Sequence, residues 1–115
     1  MEKLAKLHPG RKYRIEHQGN AGGTIFFESA NKSYFLLLLQ KHLGELGVIS
    51  NIELHKCKLS FDIKFFEEIK LPAQYRHKLY LPLSNLFNSY SKSINKRFDR
   101  QGSLFKTRFD RVEIE

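Results

Sequence analysis

The stretch VISNIELHKCKLSFDIKFFE, residues 48–67, decides the fold. Within it Ile52 and Leu54, then Cys57, Leu59, Phe61, Ile63 and Phe65, alternate with polar residues. That is the period of a strand with one buried face. The stretch suits two strands or one long bent ribbon, with a turn expected over His55–Lys58. On both sides the period lengthens to that of a helix. Upstream, Phe35, Leu38, Leu39, Leu43 and Leu46 recur every three to four residues, with Ser29 or Asn31 as cap and Gly47 as a left-handed stop. Leu36 and Leu37 widen the apolar arc, so broad burial against a sheet is expected. Downstream, Leu83, Leu86, Phe87, Tyr90, Ile94 and Phe98 form one stripe, with Ser84 as the expected cap after Pro82.

Further out the period shortens again. Lys12–Glu16 alternates as a strand and leads into the glycine-rich loop Gly19–Gly23. Phe105–Ile114 alternates as a closing strand, with a bulge expected near Asp110–Arg111. Residues 71–81 carry too few signals to assign. The order is strand, helix, strand, strand, helix, strand. It predicts an α+β, ferredoxin-like fold: an antiparallel sheet of four to five strands with two main helices on one face. Arg-Phe-Asp-Arg occurs at 97–100 and again at 108–111, in different expected elements, and is read as coincidence.

At 115 residues the chain suits a single domain, 1–115. A hydrophobic content of 41% with 13% aromatics excludes intrinsic disorder. One cysteine excludes an internal disulfide and fits a reducing, cytoplasmic setting. The longest apolar run, Tyr34–Leu39, is too short for a membrane span. The net charge of +8 is concentrated at the ends: residues 1–14 carry +4, residues 76–115 carry +5, and the stretch between carries −1. Such ends point to a polyanionic partner, most often nucleic acid.

The strongest chemical signal is the C-terminal basic segment. Lys92, Lys96, Arg97, Arg100, Lys106, Arg108 and Arg111 share it with only two acids, Asp99 and Asp110. Lys92 and Lys96 lie one helical turn apart and share a face with Asn88 and Ser89. Cations pair with phosphates, Asn and Ser add directional hydrogen bonds, and Phe105 and Phe109 would stack on bases if exposed. A solvated basic face with two core phenylalanines is the plainer alternative. His55 and Cys57 lie two apart on a strand, but no second pair with zinc-ligand spacing exists, so a buried thiol beside a surface His is expected. Tyr90 falls on the apolar stripe, which suits packing better than nucleophilic attack. Glu67 and Glu68 are adjacent and point apart on a strand, which disfavours joint acid–base work.

Several segments resemble a known family. They are Tyr13-Arg14-Ile15-Glu16-His17-Gln18-Gly19-Asn20, Ile25-Phe26-Phe27-Glu28, Tyr34-Phe35-Leu36 and Tyr75-Arg76-His77-Lys78, and most densely Ser84-Asn85-Leu86-Phe87-Asn88-Ser89-Tyr90-Ser91-Lys92, Ile94-Asn95-Lys96-Arg97 and Gly102-Ser103-Leu104-Phe105. Together they resemble the REP-associated tyrosine transposases of the HUH single-strand superfamily, over about residues 12–114. The resemblance implies the ferredoxin-like sheet, a dimer, binding of hairpin or single-stranded DNA, and strand cleavage through a phosphotyrosine link. It also implies two His that hold magnesium or manganese. Aligned from Cys57, those positions are Asp62 and Lys64, so the metal site is expected to be lost and no cofactor is expected. Asp62 and Lys64 are expected instead to form a surface ion pair. The family's nucleophilic Tyr lies on a helix after the closing strand, and the chain ends at Glu115 before it, so no catalytic residue is assigned.

The combined expectation is a catalytically inactive DNA-binding domain. Its phosphate and base contacts would come from Asn88, Lys92, Lys96, Arg97, Arg100, Lys106 and Arg108. The loop His17–Asn20 would approach the nucleic acid through its backbone. The alternatives are an active transposase fragment completed by a missing helix or partner, and a decayed RNA-binding or dimerisation domain.

Overall fold

The computed structural model describes residues 4–115. The alternating stretches form one four-stranded antiparallel sheet, with β1 at Lys12–Gln18, β2 at Gly47–Leu54, β3 at Lys58–Phe65 and β4 at Asp110–Ile114. The strand order is β2-β3-β1-β4. Two helices, α1 at Ser29–Leu43 and α2 at Tyr80–Arg97, pack against one face. This is the α+β arrangement that the periodicities predict, with four strands.

Alternation sets which side chains enter the core. Tyr13, Ile15 and His17 of β1 face the helices together with Leu59, Phe61, Ile63 and Phe65 of β3. From α1 come Phe35, Leu38, Leu39 and Leu43, and from α2 Leu83, Leu86, Phe87, Tyr90 and Ile94. Each aliphatic or phenylalanine side chain among them contributes roughly 1.5–3 kcal/mol by leaving water. Tyr90 belongs to this core: its ring meets Phe35 edge-on at 5.3 Å between centroids, and its hydroxyl donates to the Ile25 carbonyl at 2.6 Å. Burial raises its pKa, which keeps the hydroxyl protonated. The helices are also joined by a 2.7 Å hydrogen bond between the Tyr34 and Ser93 hydroxyls.

Several boundaries differ from expectation. α1 starts at Ser29 with Glu28 as its cap residue, and Asn31 sits within the first turn, where its Oδ1 accepts from the Phe27 and Glu28 amides at 2.8 and 3.0 Å. The helix ends at Gly44, not Gly47. Gly47 opens β2, where a Cβ would lie 2.3 Å from the Lys64 carbonyl oxygen, so the strand pair leaves no room for a side chain there. Leu36 and Leu37 do not widen the buried face; Leu37 is 70% exposed. α2 begins at Tyr80, four residues before Ser84. Pro82 is tolerated there because first-turn amides have no intrahelical acceptor to lose.

The β2–β3 turn falls at the expected place, closed by the His55 amide on the Lys58 carbonyl at 2.8 Å. The expected bulge at Asp110–Arg111 is absent, because β4 pairs in unbroken register with β1 from Asp110 to Ile114. The irregularity lies in β2 between Ser50 and Glu53, where Asn51 takes φ of 51°. β4 is also shorter than the expected 105–114 strand. Residues 71–81 include part of a loop with two short 3-10 turns, at Glu68–Lys70 and Ala73–Tyr75. The two Arg-Phe-Asp-Arg copies lie at the end of α2 and at the entry to β4, in unrelated conformations.

Candidate nucleic-acid interface

Beyond α2 the chain doubles back as a loop pinned at several points. Asp99 and Gly102 take φ of 50° and 86°, the left-handed region that lets the backbone reverse. The Asn95 side chain donates to the Gly102 carbonyl at 2.9 Å, and the Arg100 amide donates to the Asn95 carbonyl at 2.8 Å. Two further bonds fasten the loop to the end of β1: the Asn20 amide on Leu104 at 2.9 Å and the Lys106 amide on Gln18 at 3.0 Å. Leu104, Phe105 and Phe109 are thereby pressed into the core.

Between this loop and α2 lies a cleft of about 510 Å³. Ser84, Asn88 and Ser91 form its helical wall, and Ser103, Lys106 and Thr107 its loop wall. His17, Phe87, Phe105 and Phe109 close its base. The His17 ring stacks on Phe105 at 4.4 Å between centroids with 9° between planes, and meets Phe87 edge-on at 4.6 Å. His17 is 5% exposed and its Nδ1 has no hydrogen-bond partner. Burial, with the nearby positive charge of Lys106, pushes its pKa down to about 4, so the imidazole is neutral at pH 7.

The seven residues expected to contact DNA are not equivalent. Asn88 and Lys106 line the cleft. Lys92 stands one helical turn beyond Asn88, and Lys96 one turn further. Lys92, Lys96 and Arg108 are exposed and make no ion pair among the described residues. The other three cations are engaged within the molecule. Arg97 pairs with Glu28 at 2.6 Å, tying the end of α2 to the start of α1. Arg100 donates to the Asn95 side chain and lies over the Phe27 ring at 5.6 Å. Lys106 pairs with Asp110 at 2.9 Å.

Phe105 and Phe109 are each 6% exposed, so the plainer reading of two core phenylalanines holds and their ring faces are not open to stack on bases. One expectation is corrected. The His17–Asn20 backbone is committed internally: the Gly19 amide donates to the Cys57 carbonyl at 2.9 Å, and the Asn20 amide is held by Leu104. Gly19 is required there by crowding, since a Cβ would fall 1.8 Å from the Gly23 carbonyl oxygen.

The opposite face of the sheet carries Asp62 and Lys64. They do not pair with each other. Asp62 is 1% exposed; it accepts from Arg14 Nε at 3.0 Å and Nη2 at 3.3 Å, and from Asn51 Nδ2 at 2.7 Å. Burial alone would raise its pKa, but these hydrogen bonds and the guanidinium charge outweigh that and hold it below the ordinary carboxylate value. Arg14 is raised in turn, chiefly by its bond to Asp62. Lys64 instead donates to the Gly10 carbonyl at 2.6 Å. Among the described residues no three His, Cys, Asp or Glu side chains converge as metal ligands. His55 contacts Glu53 at 3.3 Å and is exposed, while Cys57 is half-buried.

The fold has a counterpart among solved structures. It matches a REP-associated tyrosine transposase bound to a REP hairpin, with a TM-score of 0.69 and 8% sequence identity. The match covers all of this chain and 63% of that one. At this identity the likeness establishes a shared fold, and the chain spans less than two thirds of its neighbour's length. No protein-family model and no curated protein matches the sequence. Among the described residues no helix is long and apolar enough to cross a membrane.

Proposed function

We propose that the chain is a DNA-binding domain that grips hairpin or single-stranded DNA and does not itself cleave it. The observation that carries this reading is the row Asn88, Lys92 and Lys96 along α2. It runs from the lip of the cleft outward, with both amines free of internal partners among the described residues. Arg108, in the loop that leads into β4, adds a third charge without an ion pair among the described residues. The hairpin bound by the structural neighbour supports a nucleic acid of that shape as the partner. In this reading Lys92, Lys96 and Arg108 neutralise phosphates, Asn88 adds a directional contact, and Arg97, Arg100 and Lys106 contribute charge while holding the fold together.

The proposal includes no metal step. A divalent cation at positions 62 and 64 would have to displace the Arg14 guanidinium from Asp62, and at position 64 it would find an ammonium held by the Gly10 carbonyl in place of a second ligand. A labelled hairpin incubated with magnesium or manganese is therefore expected to give no covalent protein–DNA adduct on a denaturing gel. The setting is taken to be cytoplasmic, and two chains per hairpin in a mass measurement would establish the dimer that the resemblance implies.

The decisive experiment is a fluorescence-anisotropy titration of a DNA hairpin with a single-stranded flank, repeated across salt concentrations. Engagement of about five phosphates gives a log–log slope of roughly −3.5 to −4.5. Joint replacement of Lys92 and Lys96 by Ala should make the slope shallower by roughly 1.4–1.8 and weaken binding to the same extent for any sequence. An unchanged slope places the phosphate contacts elsewhere, and equal affinity for RNA and DNA hairpins favours an RNA-binding remnant.

A further inference from the structure

We infer that the cleft between α2 and the 98–109 loop receives one unpaired nucleobase, with His17 and Asn88 contacting its polar edge. The inference rests on the DNA-binding reading and adds a base-recognition site to the phosphate contacts already described.

Two observations carry it. The first is the shape and lining of the cleft. Its volume of about 510 Å³ falls within the range of small-ligand sites, which combine an apolar body with a few placed polar groups. Aromatic edges and Leu104 at the base suit the faces of a flat heteroaromatic ring, while Ser84, Asn88 and Ser91 on one wall offer donors and acceptors to its edge. The second is independent of the first. His17 lies at the base of this cleft, more than nine-tenths buried, with Nδ1 unpartnered. A buried polar atom without a partner is costly, and buried polar groups in folded proteins are nearly always satisfied. Nδ1 has no accessible surface of its own, so it gains a partner only when the imidazole turns that nitrogen toward a ligand edge entering the cleft.

The chemistry favours a base over a phosphate. Among the described residues Lys106 is the one cation lining the cleft, and it is already paired with Asp110. A neutral imidazole offers one donor and one acceptor, which suits an uncharged ring with mixed hydrogen-bonding groups. The exposed Lys92 lies one turn from Asn88, beside the cleft mouth, where the phosphate attached to such a base would emerge. A duplex base is stacked and cannot enter, so the base must come from a loop, a bulge or a single-stranded flank.

The test has two arms. In the first, affinity is measured for the intact hairpin and for a set of oligonucleotides with one abasic position each in the loop and flank. One position is expected to lower affinity tenfold or more, and the others less than twofold. In a protein carrying Asn88→Ala, or His17→Phe to keep the aromatic packing, that position should lose its effect while thermal unfolding stays cooperative. A flat abasic profile on a hairpin that binds overturns the base pocket and leaves the DNA-binding reading standing. In the second arm the His17 ring and Asn88 amide resonances are followed by NMR during titration with each deoxynucleoside monophosphate and with inorganic phosphate. If the intact hairpin fails to bind, the DNA reading falls and this arm decides the pocket alone. Saturable shifts with one nucleotide and none with phosphate would retain it as a free-nucleotide site. No shifts, or the same shifts with phosphate, would overturn it.

Discussion

His17 and Asp62 are both titratable, both nearly buried, and lie on the neighbouring strands β1 and β3, yet they face opposite sides of the sheet. Asp62 has its carboxylate held by Arg14 and Asn51. His17 has aromatic rings around it and a bare Nδ1. The contrast separates two uses of a buried polar group. A saturated one ties strands together, here β1, β2 and β3 through a single carboxylate. An unsaturated one beside a cleft costs stability in the free protein and leaves hydrogen-bonding capacity for a ligand.

The largest expected effect that sharpens this contrast is the response to acid, because the two groups lose stability in different windows. His17 has a folded pKa near 4 against an ordinary value of 6.5. Its protonation favours the unfolded chain, so stability is full above about pH 6.5 and falls as pH drops towards 4, by about 3 kcal/mol in all. Asp62 has a depressed pKa, so its contribution is full above the ordinary carboxylate value of 3.8 and is lost only as pH falls below that. Urea unfolding at a series of pH values should therefore show two descending steps. The upper one should vanish in His17→Phe and the lower one in Asp62→Asn. If the upper step survives in His17→Phe, another group is responsible for it.

Next in size is the cost of breaking the carboxylate network. Arg14→Ala should destabilise the fold at pH 7, because the nearly buried Asp62 carboxylate then keeps only Asn51 as a partner. Removing both charges together, as Arg14→Leu with Asp62→Leu, should recover most of the loss. A smaller change of opposite sign is expected on the other face. His17→Phe should raise stability at pH 7 by about 1 kcal/mol by removing an unpartnered buried nitrogen while keeping the stack on Phe105. A loss of stability there would mean that the imidazole is satisfied in solution and that the contrast with Asp62 is false.

The two regions were not equally legible in the sequence. The fold class was, because the period-two run at 48–65 lies between two helical stripes; of the strand neighbours only the β2–β3 pair follows from a short connection. Two helix ends were misread for different reasons: Gly47 is needed for close strand approach, and Ser84 lies within a helix that Pro82 does not interrupt. The exposure of Leu37 depends on how α1 sits on the sheet, which no local pattern encodes, whereas the burial of Phe105 and Phe109 agrees with the alternation that made them core candidates. His17 could have been placed in the core from its i, i+2, i+4 spacing with Tyr13 and Ile15. Asp62 could not. Alternation puts it on the solvent side of β3, and its burial comes from the Arg14 side chain across the register and from a bulge in β2 that brings in Asn51.

That bulge supplies the smallest prediction and the finest probe of the carboxylate site. Asn51 combines two features that pull its substitution in opposite directions: φ of 51°, which glycine adopts more readily, and a 2.7 Å hydrogen bond to Asp62, which glycine cannot make. Asn51→Gly should therefore destabilise by less than about 1 kcal/mol at pH 7, while Asn51→Ala, which loses the bond and keeps the strained conformation, should cost about 1–2 kcal/mol. Both variants remove a bond that favours the ionised carboxylate, so in both the lower acid step should become shallower. The upper step should not move, because His17 is on the far side of the sheet and shares no partner with Asn51. Movement of both steps would show that the two faces are coupled through the strands, and the buried groups would then have to be treated as one titrating system.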